Sequence, residues 1–140
     1  MNSWGKIIEV DLSSAKVESR ELAETEVRRY LGGLGLNAAL ILDRLDSISG
    51  PLKPDNIIAL SPGLLTGTAA PSSSRTHINS VSPLSGLVAS SNVGGSLGGR
   101  LHNLGIASLF ITGRSEEPVR LHLSADGVEI VPAGDLWGLD

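Results

Sequence analysis

The chain has 140 residues, 41% of them hydrophobic, with 17 glycines but only two tryptophans, one tyrosine and one phenylalanine. That length suits one compact domain spanning 1–140 with an aliphatic core, and the composition excludes a disordered chain. There is no cysteine, which excludes disulfides, a thiol nucleophile and any iron–sulfur cluster held by thiolates of this chain. The net charge of −4 is unevenly spread: no Asp or Glu occurs from Asn56 to Ser115, where Arg75, Arg100 and Arg114 carry the formal charge.

Ile7, Ile8, Val10 and Leu12, then Ser13-Ser14-Ala15, then Val17 to Leu22 predict two strands joined by a short turn. Glu24 to Leu31 follows as a short helix, with acids in its first turn, Arg28 and Arg29 later, and Gly32 as its expected C-cap. A second helix is expected from about Leu36 to Leu45, an apolar stripe beside a polar one, before Pro51 and Pro54 break the chain. Ile57 to Leu60 has the form of a buried strand, and Ser61 to Ser74, with Pro62, Gly63, Gly67 and Pro71, that of a long loop.

Thr76 to Val81 predicts a strand, Leu87 to Ala89 a shorter one, and Leu97 to Leu104 a helix entered through Gly94 and Gly95. Leu109 to Thr112, Val119 to Leu123 and Val128 to Val131 complete the list, the last two turned by Asp126-Gly127. The expected class is α+β: two mainly antiparallel sheets with a few short helices. Gly32-Gly33-Leu34-Gly35 and Gly94-Gly95-Ser96-Leu97-Gly98-Gly99 each precede a helix, an echo that raises internal duplication as an option. Met1 to Lys6 shows no leader pattern and no run of about 18 apolar residues occurs. The expected location is the cytoplasm, with neither a membrane nor a nucleic acid as partner.

Gly33-Leu34-Gly35-Leu36-Asn37-Ala38 has the GxGxxA spacing of a dinucleotide fingerprint, but a helix rather than a strand is expected before it. It is better explained as a tight link between helices. A phosphate loop needs a lysine, and none follows Lys53. His77, His102 and His122 are scattered without ligand spacing, and the serines lack a base and an orienting acid.

Two places remain. Arg75 stands alone where a Ser-rich loop meets a strand, either as a rigid donor fork for an anion or as an ordinary surface arginine. Ser90-Ser91-Asn92-Val93-Gly94-Gly95 either presents backbone N–H groups to an anion, with a carbonyl for a hard cation, or is a turn into a helix.

Six segments, in order, resemble the amino-terminal domain of the aldehyde ferredoxin oxidoreductase family: Trp4-Gly5-Lys6, Tyr30 to Gly35, Leu64 to Pro71, Ser82 to Gly86, Asn92 to Gly95 and Leu136-Trp137-Gly138. The resemblance implies a base for a bis-pterin cofactor carrying tungsten or molybdenum. It implies that Arg75 lies between pterin and a 4Fe–4S cluster whose ligands are outside this chain. It further implies that Asn92, Gly94 and Gly95 meet the pterin phosphates, with the Asn92 backbone carbonyl on a bridging magnesium ion.

For the full-length enzyme the resemblance implies oxidation of an aldehyde to a carboxylic acid with ferredoxin as acceptor. The implied partners are the carboxy-terminal domains of the same enzyme and, as an option, a second copy in a homodimer. No catalytic residue is expected here. This chain departs from the family pattern at Ser96-Leu97, where an aromatic pair is common, at Arg100, where an acid is common, and at Gly105-Ile106-Ala107. The alternative from another class is a standalone pterin-binding or assembly module.

Overall fold

The computed structural model describes residues 4–139; Met1 to Ser3, part of the segment inspected for a leader, and Asp140 lie outside the described residues. The elements in order are β1 (Lys6–Asp11), β2 (Lys16–Glu21), α1 (Glu24–Tyr30), α2 (Gly33–Leu42), a 3-10 turn (Leu45–Ser47), β3 (Ile58–Pro62), β4 (Arg75–Val81), β5 (Val88–Gly94), α3 (Ser96–Asn103), β6 (Ile106–Thr112), β7 (Val119–Ser124) and β8 (Gly127–Pro132). Six strands form one sheet in the order β2-β1-β6-β3-β4-β5, and β7 with β8 forms a separate hairpin. Only β1 and β6 run parallel; every other neighbouring pair is antiparallel. The α+β class with two mainly antiparallel sheets and three helices is the observed one.

Strand alternation divides the core between the two faces of the sheet. Ile7, Ala59 and Phe110 meet Val27 of α1 and Leu36, Leu40 and Ile41 of α2 on one face. Ile8, Val10, Leu109 and Ile106 meet Leu101 of α3 on the other, where Leu121, Leu123, Val128 and Ile130 of the β7–β8 hairpin also pack. With one phenylalanine inside, the core is aliphatic as the composition requires. Its aromatic ring also carries the Arg44 guanidinium carbon 4.5 Å from its centroid, while Arg44 donates to both oxygens of Glu9 at 2.7 Å.

Several expected boundaries shift for physical reasons. The left-handed residue ending α1 is Leu31, at φ 64, whereas Gly32, at φ 110, serves as the N-cap of α2. The second helix therefore starts at Gly33 rather than Leu36, and its polar residue Asn37 faces the core, not water. A bulge between Lys6/Ile7 and Ile106/Ser108 hides the start of β6, because it interrupts the period-2 pattern just where the strand begins. The segment Ser90 to Gly94 is not a turn: β5 pairs with β4 at seven successive positions, Arg75↔Gly94 to Val81↔Val88. Pairing overrides the low strand preference of Ser, Asn and Gly.

The internal echo has a structural counterpart. Gly32 (φ 110, ψ −170) and Gly95 (φ 101, ψ −158) take nearly the same extended, positive-φ conformation as N-caps, which a Cβ disfavours. Each helix follows a strand pair and leads to a central strand, and the sheet order reads the same about the β6–β3 boundary. The equivalence stops at direction, since β1 lies parallel to β6 while β4 is antiparallel to β3.

Candidate functional site

One end of the sheet gathers the residues singled out above. β4 begins there at Arg75, β5 ends there at Gly94, and the register places Arg75 opposite Gly94 and His77 opposite Asn92. The Arg75 Nη1 donates to Asn92 Oδ1 at 3.1 Å. Among the described residues Arg75 forms no ion pair, so its remaining donors are not spent on a carboxylate. Gly95 is the next residue, and the hydroxyl of Ser74 donates to its carbonyl oxygen. Arg75, distant in sequence from Asn92, Gly94 and Gly95, is therefore their neighbour.

Two helix N-termini flank this end, one from each face of the sheet. α2 enters through Gly32 and α3 through Gly95, neither has a side-chain cap, and neither has an acid in its first turn. Their leading N–H groups and positive dipole ends are thus unopposed by fixed negative charge. α2 comes close enough that a Cβ on Gly33 would lie 3.0 Å from His77 Cδ2. α3 comes close enough that a Cβ on Gly98 would lie 2.7 Å from both Thr66 Cγ2 and Thr76 Oγ1. A Cβ on Gly95 would meet nothing within 4 Å, so the backbone there is open to approach.

β5 is an edge strand, and its Ala89 to Gly94 are exposed and uncharged. The opposite edge, β2, reads KVESRE, with charged side chains along an exposed strand. Charges usually guard a sheet edge against stray pairing. β5 lacks them at the end where its backbone lies beside Arg75. An acid-free cleft of about 410 Å³ opens nearby, lined by apolar Trp4, Leu22, Leu31 and Leu36 together with Gly63 and His102.

Sequence reasoning missed the groups that hold this end in place. Asn37 is fully buried and its Nδ2 donates to Ala59 O (3.1 Å), His77 O (3.2 Å) and Asn79 Oδ1 (2.9 Å). Its Oδ1 accepts from Ser61 (2.5 Å) and Ser108 (3.2 Å), so one amide ties α2 to β3, β4 and β6. Thr66, in the loop before β4, is likewise fully buried. An apolar helix interrupted by one asparagine was the available signal for the first; nothing local marked the second. His77 lies on the Arg75 and Asn92 face, with its Nδ1 buried and, among the described residues, without a hydrogen-bond partner. His102 packs against Gly67, and His122 lies opposite Glu129 in the β7–β8 hairpin.

The carboxylates with lowered pKa all lie elsewhere. Glu26 is lowered by its hydrogen bond from Arg20, Asp11 by the Ser14 hydroxyl and the Ser13 N–H, and Asp55 by Ser49. Among the described residues no three His, Asp or Glu side chains gather as a metal cluster, and no helix is long and apolar enough to cross a membrane. The site is an electropositive, carboxylate-free end of a sheet, suited to an anionic ligand that approaches backbone closely.

The fold and this end define an α+β domain, and comparison with known proteins places it in a family. The family model for the N-terminal domain of aldehyde ferredoxin oxidoreductase matches residues 7–140, and the chain belongs to that family. It is 37% identical over 136 residues to a tungsten-containing aldehyde ferredoxin oxidoreductase of Thermococcus kodakarensis, covering 97% of this chain and 22% of that protein. An aliphatic sulfonate oxidoreductase, WOR-like subunit, of Pyrococcus furiosus is 33% identical over 138 residues, again with 96% of this chain and 22% of that protein covered. The solved active site complex BamBC of benzoyl coenzyme A reductase, with 1,5-dienoyl-CoA, matches with a TM-score of 0.91 and 36% identity, covering 97% of this chain and 21% of that one. The chain thus spans about a fifth of the length of the relatives it matches.

Proposed function

We propose that this chain seats the pterin end of a tungsten (or molybdenum) bis-pterin cofactor. In this reading it forms part of an oxidoreductase that converts aldehydes to carboxylic acids with ferredoxin as electron acceptor. The observation that carries the reading is the meeting of Arg75, the bare end of β5 and two uncapped helix N-termini with no acid in either first turn. Arg75, β5 and α3 all lie in the stretch from Asn56 to Ser115 that has no Asp or Glu. The donor set suits pterin phosphates: guanidinium and backbone N–H groups for the anion, a backbone carbonyl for magnesium, and open space above Gly95 where a side chain would intrude.

When bound, the cofactor supplies two-electron redox chemistry at its metal, and the protein orients it. In this reading the Arg75 fork, braced by Asn92, donates hydrogen bonds between the pterin and a 4Fe–4S cluster whose ligands come from later domains. The Asn92 carbonyl would give an oxygen to magnesium, and Gly94 and Gly95 would let phosphate oxygens reach main-chain N–H groups. The matched relatives carry three different reaction names over one shared domain, so this domain serves what they have in common rather than the choice of substrate.

Metal analysis of the full-length gene product, from cells supplied with both tungstate and molybdate, tests the reading. One metal bound near stoichiometrically is expected, and neither metal present would sink it. Arg75→Ala in that protein should slow electron delivery to ferredoxin or a dye without lowering the unfolding temperature by more than a few degrees. An unchanged rate would return Arg75 to the role of a surface arginine.

A further inference from the structure

Arg75 and Gly95 stand on exposed backbone, yet both are tied to one buried hydroxyl. Thr66 Oγ1 lies 2.6 Å from Ser73 O and 3.0 Å from Arg75 O, so its single proton is shared by the carbonyls on either side of Ser74. The Gly63 N–H also donates to Arg75 O at 3.0 Å, and Thr66 N–H donates to Gly63 O at 2.9 Å, which closes the loop around the threonine. Ser74, held between the two clamped carbonyls, donates its own hydroxyl to the Gly95 carbonyl at the N-cap of α3. On its other side Thr66 presents Cγ2 to Gly98 of α3, at a distance that admits no Cβ.

We propose that Thr66 is a positioning residue that fixes Arg75 relative to the Gly95 end of α3, its hydroxyl setting the 73–75 backbone that Ser74 ties to Gly95. The proposal rests on the cofactor-seating reading above. Serine keeps the hydroxyl and valine keeps the size and methyl without it, which separates the hydroxyl's role from packing. The nearby Thr68 is exposed and bonds only within its own loop, to Leu65 O at 2.7 Å and from Ala70 N–H at 3.2 Å, so it serves as a control.

The test uses the full-length protein loaded with its metal, with acetaldehyde as substrate and benzyl viologen as acceptor, alongside hydrogen–deuterium exchange of peptides spanning 73–76. Thr66→Val should lower kcat roughly tenfold with KM unchanged, the scale expected of a sub-ångström misplacement, and speed exchange at 73–76. Thr66→Ser should restore both, and Thr68→Val should leave both unchanged. A purely structural role would lower the unfolding temperature of the valine and serine variants together without this split.

Wild-type kcat and exchange in Thr66→Val overturn the proposal while leaving the cofactor reading intact; so does faster exchange without loss of kcat. If Thr66→Val does not fold, Thr66→Ser decides: wild-type kcat and exchange support the hydroxyl's role, and their loss overturns it. Absence of both tungsten and molybdenum from the wild-type protein refutes the cofactor reading itself, whatever Thr66 does to exchange. Wild-type kcat in Arg75→Ala removes only the role given to Arg75 and with it the Thr66 proposal.

Discussion

Replacing Asn37 with alanine is the most informative single perturbation of this fold. The side chain is fully buried and makes five hydrogen bonds to three strands of the sheet. Ala59 and His77 lie in paired strands, and the Ser61 and Ser108 hydroxyls can rotate in search of other acceptors. Asn79 Oδ1 has no such freedom, since its own Nδ2 is engaged with Ala89 O at 3.1 Å.

One orphaned buried acceptor costs about 1–3 kcal/mol, and the cavity left by the amide adds to it. A loss of about 3–4 kcal/mol follows, or roughly 10–15 °C in unfolding temperature for a chain of this size. Urea unfolding followed by far-ultraviolet circular dichroism measures it directly. Asn37→Asp should be worse still at neutral pH, because a carboxylate would face the Ala59 and His77 carbonyls and Asn79 Oδ1 in place of three donor contacts. A loss under about 1 kcal/mol for the alanine variant would show that the network is replaceable and that this account of the core is mistaken.

Two adjacent glycines in α3 should respond in opposite ways. Gly98→Ala drives a Cβ to 2.7 Å from Thr66 and Thr76 and should destabilise by about 1–3 kcal/mol, whereas Gly99→Ala meets nothing within 4 Å and should stabilise by up to about 1 kcal/mol. Thermal unfolding of the pair checks this, and equal shifts would contradict the close helix–sheet approach. Stability should also fall in acid. The folded pKa values of Glu26, Asp11 and Asp55 are lowered, so what they contribute is fully present above the ordinary carboxylate value near about 4 and is lost as pH falls through the folded values. Arg20→Ala removes the first cause for Glu26, so a melting series from pH 7 to 2 should show a shallower acid decline; an identical slope would discount the pair.

The elements most legible in the sequence were those whose signals are local. Ile7 to Leu22 forms two strands around a turn that spans Leu12 to Ala15, and Asp126-Gly127 marks the β7–β8 hairpin, whose turn falls one residue earlier, at Ala125-Asp126. β5 was legible only in part, because Ser90, Ser91 and Asn92 become a strand by pairing with Asn79, Ile78 and His77 of β4 rather than by preference. The start of β6 was hidden by its bulge, and Asn37 drew notice only as part of the Gly33 to Ala38 spacing, because no local pattern shows that an asparagine in a helix faces the core. Arg75 drew notice through its isolation from acids, yet its nearness to Gly94 and Gly95 is a matter of strand register, which no local pattern encodes.

The placement of β6 carries a consequence for how the molecule comes together during synthesis. This strand lies between β1 and β3, so the β1–β2 hairpin has no strand partner in the sheet until residues 106–112 have been made. Before that point the nascent chain holds two separate half-sheets, β2-β1 and β3-β4-β5, with no ladder between them. Contacts of such long sequence separation are slow to form. Arg75 and Gly95 reach their partners within the second half-sheet early, but the buried amide of Asn37 lacks its Ser108 contact until β6 docks. A chain ending before Ile106 would therefore hold a grouped site with an incomplete Asn37 network, and the last central strand to be made is the one that completes it.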